Sequence, residues 1–327
     1  MSNALVRFKS SFWPSLHLLL IEAERAWAYS QELINNSLKS TNKDAASTLR
    51  HHATGRFRRS VHWSTQLLSH CQTLFASGRL SAENLLEATV YTLVLNGRFL
   101  RYRDDFEDAL IQLAAARSLL DELATAATNS RDQALATLFS DDIGPEIRYC
   151  AHELGRAKAY DIDAIVQELA AEHRNELVDN CEQLIKTFKS DDYDTSDISR
   201  KRLETIVWEG GPLPIRNPEL VDVFLKVQEA ERKLVQQDPS AVPKGSKKGV
   251  AAYDAILLAL SDAEEVARKL VEAQQVRSDA ASHLFHILSS LVARILQQHR
   301  VLVIFNSFMP ILFISYCLDA FNVISFS

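Results

Sequence analysis

Apolar residues recur every three or four positions along most of this chain, the period of amphipathic helices. In the first segment this period predicts a helix from about Pro14 to Leu38, because proline is favoured in a first helical turn. The pattern predicts further helices over about 45–76, 130–158, 161–189, 217–237 and 250–300. Gly78 suits the C-terminal cap of the second helix, and Ser81 suits the N-cap of the next. We expect the 130–158 helix to be broken or bent near Gly144-Pro145.

Residues 81–122 have a more specific pattern of small and large side chains. Its members are Leu93, Gly97, Leu100, Phe106, Ala109, Leu113 and Ala116. This is the spacing of a tetratricopeptide-type pair, in which a glycine and alanines let two antiparallel helices approach closely. A single copy is visible, so the segment predicts a tetratricopeptide-like hairpin and not an established repeat array.

The strand signal is confined to 206–215, where β-prone residues flank Gly210-Gly211 and predict a small β-hairpin. With only nine glycines and eight prolines in 327 residues, many short strands are not expected. The predicted fold is all-α, a tetratricopeptide-like helical hairpin bundle with that one β-hairpin. We divide the chain into a helical domain over 1–189, a linker with the hairpin over 190–216, a helical continuation over 217–300 and an atypical apolar tail over 301–327.

The tail has no helical phase, although 18 consecutive residues in Val301–Leu318 lack a charge. Three interpretations are open. The stretch reaches the lower length limit of a membrane span, but Asn306 and Pro310 interrupt it. It could instead be a buried final helix. We favour a third interpretation, in which the sequence after Arg300 is not native continuation, as a translated intron would be.

Charge is distributed unevenly. The chain has a net charge of −6, yet residues 1–103 hold 13 Lys and Arg against six Asp and Glu, and no acidic residue lies between Ala45 and Ala82. A basic first third predicts a polyanionic or acidic partner there.

The second helix carries much of this charge. On a helical projection one face is apolar, formed by Ala53, Phe57, Val61, Trp63, Leu67 and Cys71. The opposite face carries His51, His52, Arg58, Arg59 and His62, and Arg50 and Arg56 lie at the two edges, where long side chains can reach outward. Guanidinium groups bind phosphate oxygens bidentately, so this face suits structured RNA. A solvated basic face, or one that binds an acidic protein, remains the alternative.

A second cluster of Arg98, Arg101 and Arg103 falls at the turn of the hairpin. Acidic residues follow at once, and local salt bridges with them would weaken this cluster as a binding site. The predicted RNA-binding residues are Arg50, Arg56, Arg58, Arg59, His62, Arg101 and Arg103.

Catalytic and metal-binding patterns are not found in the sequence. There is no H-E-x-x-H, no G-x-S-x-G and no C-x-x-C among four widely spaced cysteines. Asp279, His283 and His286 share a helical spacing but lie in an apolar helix without further ligands. We therefore expect no enzyme, no cofactor, no metal site, and reduced thiols as in the cytosol.

Five segments, in order, resemble the family of the 68-kilodalton subunit of the eukaryotic signal recognition particle. They are E-A-E-R-A-W-A-Y at 22–29, the basic helix at 50–63, the Gly97–Ala116 hairpin, I-G-P-E-I-R-Y-C-A at 143–151, and V-W-E-G through P-I at 207–215. The resemblance covers roughly residues 16–300. It departs at both ends: only Arg7 and Lys9 stand upstream where the family has an arginine-rich segment, and the family's C-terminal half is not found beyond Arg300.

The resemblance implies an RNA-binding component of the signal recognition particle, which docks on the particle (7S) RNA near a multi-helix junction. It assigns RNA binding to 1–189. It also implies a role in cotranslational targeting of secretory proteins to the endoplasmic reticulum. The implied partners are the RNA, the 72-kilodalton subunit, whose binding region belongs to the missing half, and the particle's receptor. The implied locations are the cytoplasm, the endoplasmic reticulum and the nucleolus. The alternatives are a protein-interaction adaptor that does not bind RNA and a tail-anchored membrane protein.

Overall fold

The computed structural model describes residues 13–190, 202–204, 206–208, 211–212, 215–236 and 247–275. They form two compact units. The first contains the described residues up to 128 and those of 132–190, and the second contains 129–131 and everything described from 202 onward. The described residues are helical apart from loops and two short strands, so the all-α class is confirmed.

The first unit contains seven α-helices within the described range. They are α1 (Trp13–Leu38), α2 (Ala46–Ala76), α3 (Ala82–Tyr102), α4 (Phe106–Ala126), α5 (Ser130–Glu153, from Asp132 onward), α6 (Ile162–Leu177) and α7 (Cys181–Ser190). A 3-10 helix, Ser40–Ala45, joins α1 to α2. α2 packs against both α1 and α3, and α4 packs against α3 and α6. One apolar core runs through all seven helices, and its fully buried side chains include Leu20, Leu67, Leu86, Leu113 and Ile147.

The two predicted caps flank the turn between α2 and α3. Gly78, two residues after α2 ends, has a φ of +69°, which a residue without a Cβ adopts at little cost. The Ser81 hydroxyl accepts a hydrogen bond from the Asn84 backbone N–H at 3.3 Å and caps α3. Both predictions are confirmed.

One helix boundary differs from the prediction, and of the break or bend predicted at Pro145 the break does not occur. The segment over 161–189 is two helices and not one, because Asn180 adopts a left-handed φ of +52° between α6 and α7. Conversely, α5 continues through Pro145 without a break. Pro145 and Asp141 are both exposed, so water can reach the Asp141 carbonyl whose hydrogen bond the proline removes, while buried Ile143 and Ile147 hold the helix on the core.

The second unit pairs β1 (Val207–Trp208) with β2 (Gly211–Pro212). The strands are antiparallel, with Val207 opposite Pro212 and Trp208 opposite Gly211. Two helices follow, α8 (Pro218–Gln236) and α9 (Lys247–Gln275), which pack against each other around Phe224 and Leu260. The remainder of the predicted 250–300 helix, the Asp279, His283 and His286 set and the apolar tail over 301–327 lie outside the described residues. Within the described part, none of the helices is long and apolar enough to cross a membrane.

Candidate nucleic-acid interface

α2 presents one narrow buried face and one broad exposed face. The buried residues are Ala53, Phe57, Ser60, Ser64, Leu67 and Cys71. Val61 and Trp63 are only half-buried, so the face on the core is narrower than the apolar arc that the sequence predicted. The exposed residues include Arg50, His51, His52, Arg56, Arg58, Arg59 and His62. All five α2 residues of the predicted interface therefore point to solvent.

Specific contacts fix the rotation of α2 about its own axis. The Ser60 hydroxyl donates to the Ala23 carbonyl of α1 at 2.8 Å, in a fully buried position. On the other side the Phe57 ring packs edge-on against Phe99 of α3, with the centroids 5.4 Å apart. These anchors to two neighbouring helices hold the arginines outward, so the basic face belongs to a packed helix and not to a mobile segment.

The α2 arginines have no carboxylate partner among the described residues. Arg58 and Arg59 are exposed, and no ion pair in that part of the chain involves them, Arg50 or Arg56. Arg56 lies over the ring of Tyr29, with 4.9 Å between its Cζ atom and the ring centroid. Tyr29 is itself 43% exposed, and sequence reasoning did not include it in the interface. The sequence could have indicated Tyr29, because its place in the helical period of α1 is on the side that faces away from the core.

The second arginine cluster is neutralised, but mostly by different residues than expected. Arg98 pairs with Asp142 and Glu146 on α5, and its side chain is only 13% exposed. Arg101 pairs with the same Glu146, at 3.3 Å, and lies over the ring of Tyr149. Only Arg103 pairs with the neighbouring acidic run, through a 3.7 Å contact between its Nε and Asp105. The side chains of Arg101 and Arg103 remain 38% and 47% exposed, whereas that of Arg98 is largely buried in its ion pairs.

The tertiary structure brings the two clusters together at one place. Arg50, at the start of α2, and Arg103, at the end of α3, both line a cleft of about 510 Å³. Tyr102 lines it between them, and its hydroxyl lies 3.4 Å from the Arg50 carbonyl oxygen. The basic face of α2 and the α3–α4 turn are therefore one continuous surface.

Burial determines the ionisation of the cysteine thiols in the described part. Cys71, Cys150 and Cys181 are buried and free. Burial raises the pKa of the Cys71 thiol to about 12 and that of Cys150 to about 11, which disfavours the nucleophilic thiolate. No group of three or more His, Cys, Asp or Glu side chains among these residues could hold a metal ion.

A helical bundle that exposes a guanidinium-rich face without carboxylates has the features of a helical polyanion-binding protein. Comparison with known families agrees: the family described as "RNA-binding signal recognition particle 68" matches residues 14–301, and the chain belongs to this family. The family resemblance that the sequence showed is confirmed. The description of the family thus names both RNA binding and the signal recognition particle.

Two relatives are named "Signal recognition particle subunit SRP68". The chain is 29% identical to the one from Drosophila melanogaster over 223 residues, which is 68% of this chain and 33% of the fly protein. It is 24% identical to the one from Dictyostelium discoideum over 143 residues, which is 44% of this chain and 22% of that protein. The chain therefore matches about a third of the length of these relatives or less.

Proposed function

We propose that this chain binds the RNA of the signal recognition particle through the exposed face of α2. The observation that carries the proposal is the set of arginines at 50, 56, 58 and 59, which are exposed and have no carboxylate partner among the described residues. Together with His62, Arg101 and Arg103 they form the interface. Arginine contacts to phosphates position a protein on RNA, and guanidinium planes also stack on unpaired bases.

The hairpin of α3 and α4 is the scaffold of this surface, and we assign it as tetratricopeptide-like. Gly97 lies so close to Leu113 that a Cβ built on it would meet the Leu113 Cγ at 2.8 Å. A close approach of two helices at a glycine is what that class of hairpin requires. The hairpin holds Arg101 and Arg103 beside α2, so the RNA-binding domain is the helical bundle that we predict over 1–189.

The biological role that we propose follows from the family. The chain is the RNA-binding component of the particle that targets secretory proteins cotranslationally to the endoplasmic reticulum membrane. Its expected partners are the particle (7S) RNA, and for the longer members of the family the 72-kilodalton subunit and the particle's receptor. The expected locations are the cytoplasm, the endoplasmic reticulum surface and the nucleolus.

The test is charge reversal on the face itself. The double variant Arg58→Glu, Arg59→Glu should lose most of its affinity for transcribed signal recognition particle RNA, measured by fluorescence anisotropy, because two phosphate contacts become repulsions. The control is Lys158→Glu with Lys186→Glu, which changes the net charge equally at two exposed positions outside α2. The control should bind like the wild type.

Two results would contradict the proposal. Equal loss in both double variants would show that affinity follows net charge and not the α2 face. A folded wild-type chain that retains no particle RNA but captures an acidic protein would favour the alternative, a tetratricopeptide-like interaction adaptor.

A further inference from the structure

The cleft that joins the two arginine clusters has the size of a ligand site. It lies where the end of α1, the start of α2 and the end of α3 meet, and its volume of about 510 Å³ is within the range of small-molecule pockets. Arg50 and Arg103, which stand 53 positions apart in the sequence, face the same space. A flat basic surface would bind RNA phosphates without such a recess.

We infer that this cleft receives one unpaired nucleotide of the bound RNA, with its base inside and its phosphates on the two arginines. The inference rests on the proposed RNA-binding function and adds a specific subsite to it. Proteins read structured RNA mainly at loops and bulges, where unstacked bases can leave the helix and enter pockets. A base within a continuous duplex could not reach the recess.

The walls of the cleft offer an apolar and aromatic surface for a base. Ile34 and Leu38 contribute from α1, and Leu38 is 69% exposed, so its side chain is accessible to a base. Tyr102 contributes from α3, and its ring lies 6.0 Å from that of Phe57, which keeps it in place. Bases pack on such surfaces whatever their identity, because every base has a π face.

Two of the three hydroxyl groups in the cleft already use their protons. The Ser37 hydroxyl donates to the Ile34 carbonyl at 2.7 Å, and the Thr54 hydroxyl donates to the Arg50 carbonyl at 2.9 Å. The Tyr102 hydroxyl lies 3.4 Å from the same Arg50 carbonyl oxygen, which is long for a hydroxyl hydrogen bond, so this hydroxyl can also donate to a base. The Ser37 and Thr54 oxygens can only accept, and so can the Asp104 carboxylate.

These acceptors suit the hydrogen-bond donors of an unpaired base. Adenine, cytosine and guanine donate through exocyclic amino groups, and guanine and uracil also donate through ring N–H groups, so the lining does not choose between the bases. A lining of acceptors together with two guanidinium groups complements a base that has phosphates on either side. We therefore assign the site to an unpaired nucleotide.

The two arginines of the cleft are accessible to phosphates. Arg50 is exposed and has no ion pair among the described residues. Arg103 contacts Asp105 through its Nε atom at 3.7 Å, and its side chain is 47% exposed. Consecutive phosphates on either side of an extruded nucleotide would meet one guanidinium each.

The test fills the cleft and maps the RNA one nucleotide at a time. Thr54→Trp fills it from α2, and Leu38→Trp fills it independently from α1, in case one of the two variants fails to fold by circular dichroism. The control is Thr73→Trp. Thr73 is also an α2 threonine that donates to the carbonyl four residues earlier, at 3.0 Å, but it lies 19 residues further along the helix. Each full-length variant is bound to transcribed particle RNA, and base accessibility is read by chemical probing.

The wild type and Thr73→Trp should protect one unpaired nucleotide that both cleft-filling variants leave reactive. Protection of paired RNA by the α2 face should stay, and the affinity should fall about tenfold, as expected for one lost base contact. Identical footprints for the wild type and both cleft-filling variants would overturn the inference while leaving the proposed function intact. No footprint at all from the folded wild type would overturn the proposed function.

Discussion

The Arg98 guanidinium donates from Nε to the Glu146 carboxylate at 2.7 Å and joins the C-terminal part of α3 to α5. Both side chains are largely buried, at 13% and 15% exposure, and Arg98 also donates to the more exposed Asp142 at 2.9 Å. Glu146 contacts Arg101 as well. One carboxylate thus compensates two guanidinium groups, and it stands 48 residues from Arg98 in the sequence.

Removal of that carboxylate should destabilise the first unit strongly. In Glu146→Ala a buried guanidinium loses its main partner, and we expect the free energy of unfolding to fall by about 3–5 kcal/mol. Urea denaturation followed by circular dichroism measures it. Asp142→Ala is the control, because Asp142 is half exposed, and it should cost about 1 kcal/mol or less. Similar losses in both variants would mean that the buried pair has no special role.

Gly97 and Gly55 should respond oppositely to the same substitution. A Cβ on Gly97 would meet the buried Leu113 side chain at 2.8 Å, so we expect Gly97→Ala to destabilise by about 1–3 kcal/mol despite the better helix propensity of alanine. Gly55 is exposed on α2 with no heavy atom within 4 Å of such a Cβ. Gly55→Ala should therefore stabilise by about 0.5–1 kcal/mol. Thermal unfolding of the two variants measures both effects. Stabilisation by Gly97→Ala would contradict the close approach of α3 and α4.

Tyr91 and Glu24 connect α3 to α1 in a manner that depends on pH. The Tyr91 hydroxyl donates to Glu24 at 2.8 Å, yet burial raises the pKa of the Glu24 carboxyl above its usual value near 4.5 and outweighs that hydrogen bond. The folded state therefore binds the proton more tightly than the unfolded state does. The contribution of Glu24 to the free energy of unfolding is greatest at low pH and declines as pH rises from about 4.5 through the folded pKa.

Tyr91→Phe should expose this dependence. It removes the donor that stabilises the charged carboxylate, so we expect a loss of about 1.5–3 kcal/mol at pH 7 and a smaller loss at pH 4, where Glu24 is protonated. The measurement is urea unfolding of wild type and variant at both pH values. Tyr149→Phe, at a tyrosine that is 45% exposed, should change little at either pH. If Tyr91→Phe lost equal stability at both pH values, the contribution of the hydrogen bond would not depend on the charge of Glu24.

The salt dependence of RNA binding should report the number of phosphate contacts on α2. Replacement of Arg58 and Arg59 by glutamine removes two cations without adding repulsion. The slope of log affinity against log salt should then become shallower by about 1.4–1.8, because each phosphate contact contributes about 0.7–0.9. Titrations at several salt concentrations provide the slope, with Lys158→Gln and Lys186→Gln as the control pair. An unchanged slope would show that Arg58 and Arg59 do not contact RNA phosphates.

Much of the helical layout could be predicted from local patterns. Gly78 and Ser81 identified the turn between α2 and α3, and Gly97 identified a close approach that the structure places on Leu113. The division between α6 and α7 was missed, because the left-handed conformation of Asn180 is not visible in the apolar period. The burial of Ser60 was missed as well, since its hydroxyl is satisfied by a carbonyl of another helix, 37 residues away.

The sequence by itself determined which residues form helices and which face of α2 is basic, because both depend on a period of 3.6 residues that neighbours along the chain define. Only the tertiary structure decided which arginines keep their charge available. Arg98 is buried in ion pairs with Glu146 and Asp142, whereas Arg50 keeps its charge available and meets Arg103 across a cleft. The reason is physical: ion pairing depends on distances of a few ångströms, and the partners concerned are separated by about 50 residues that only the packed fold brings together.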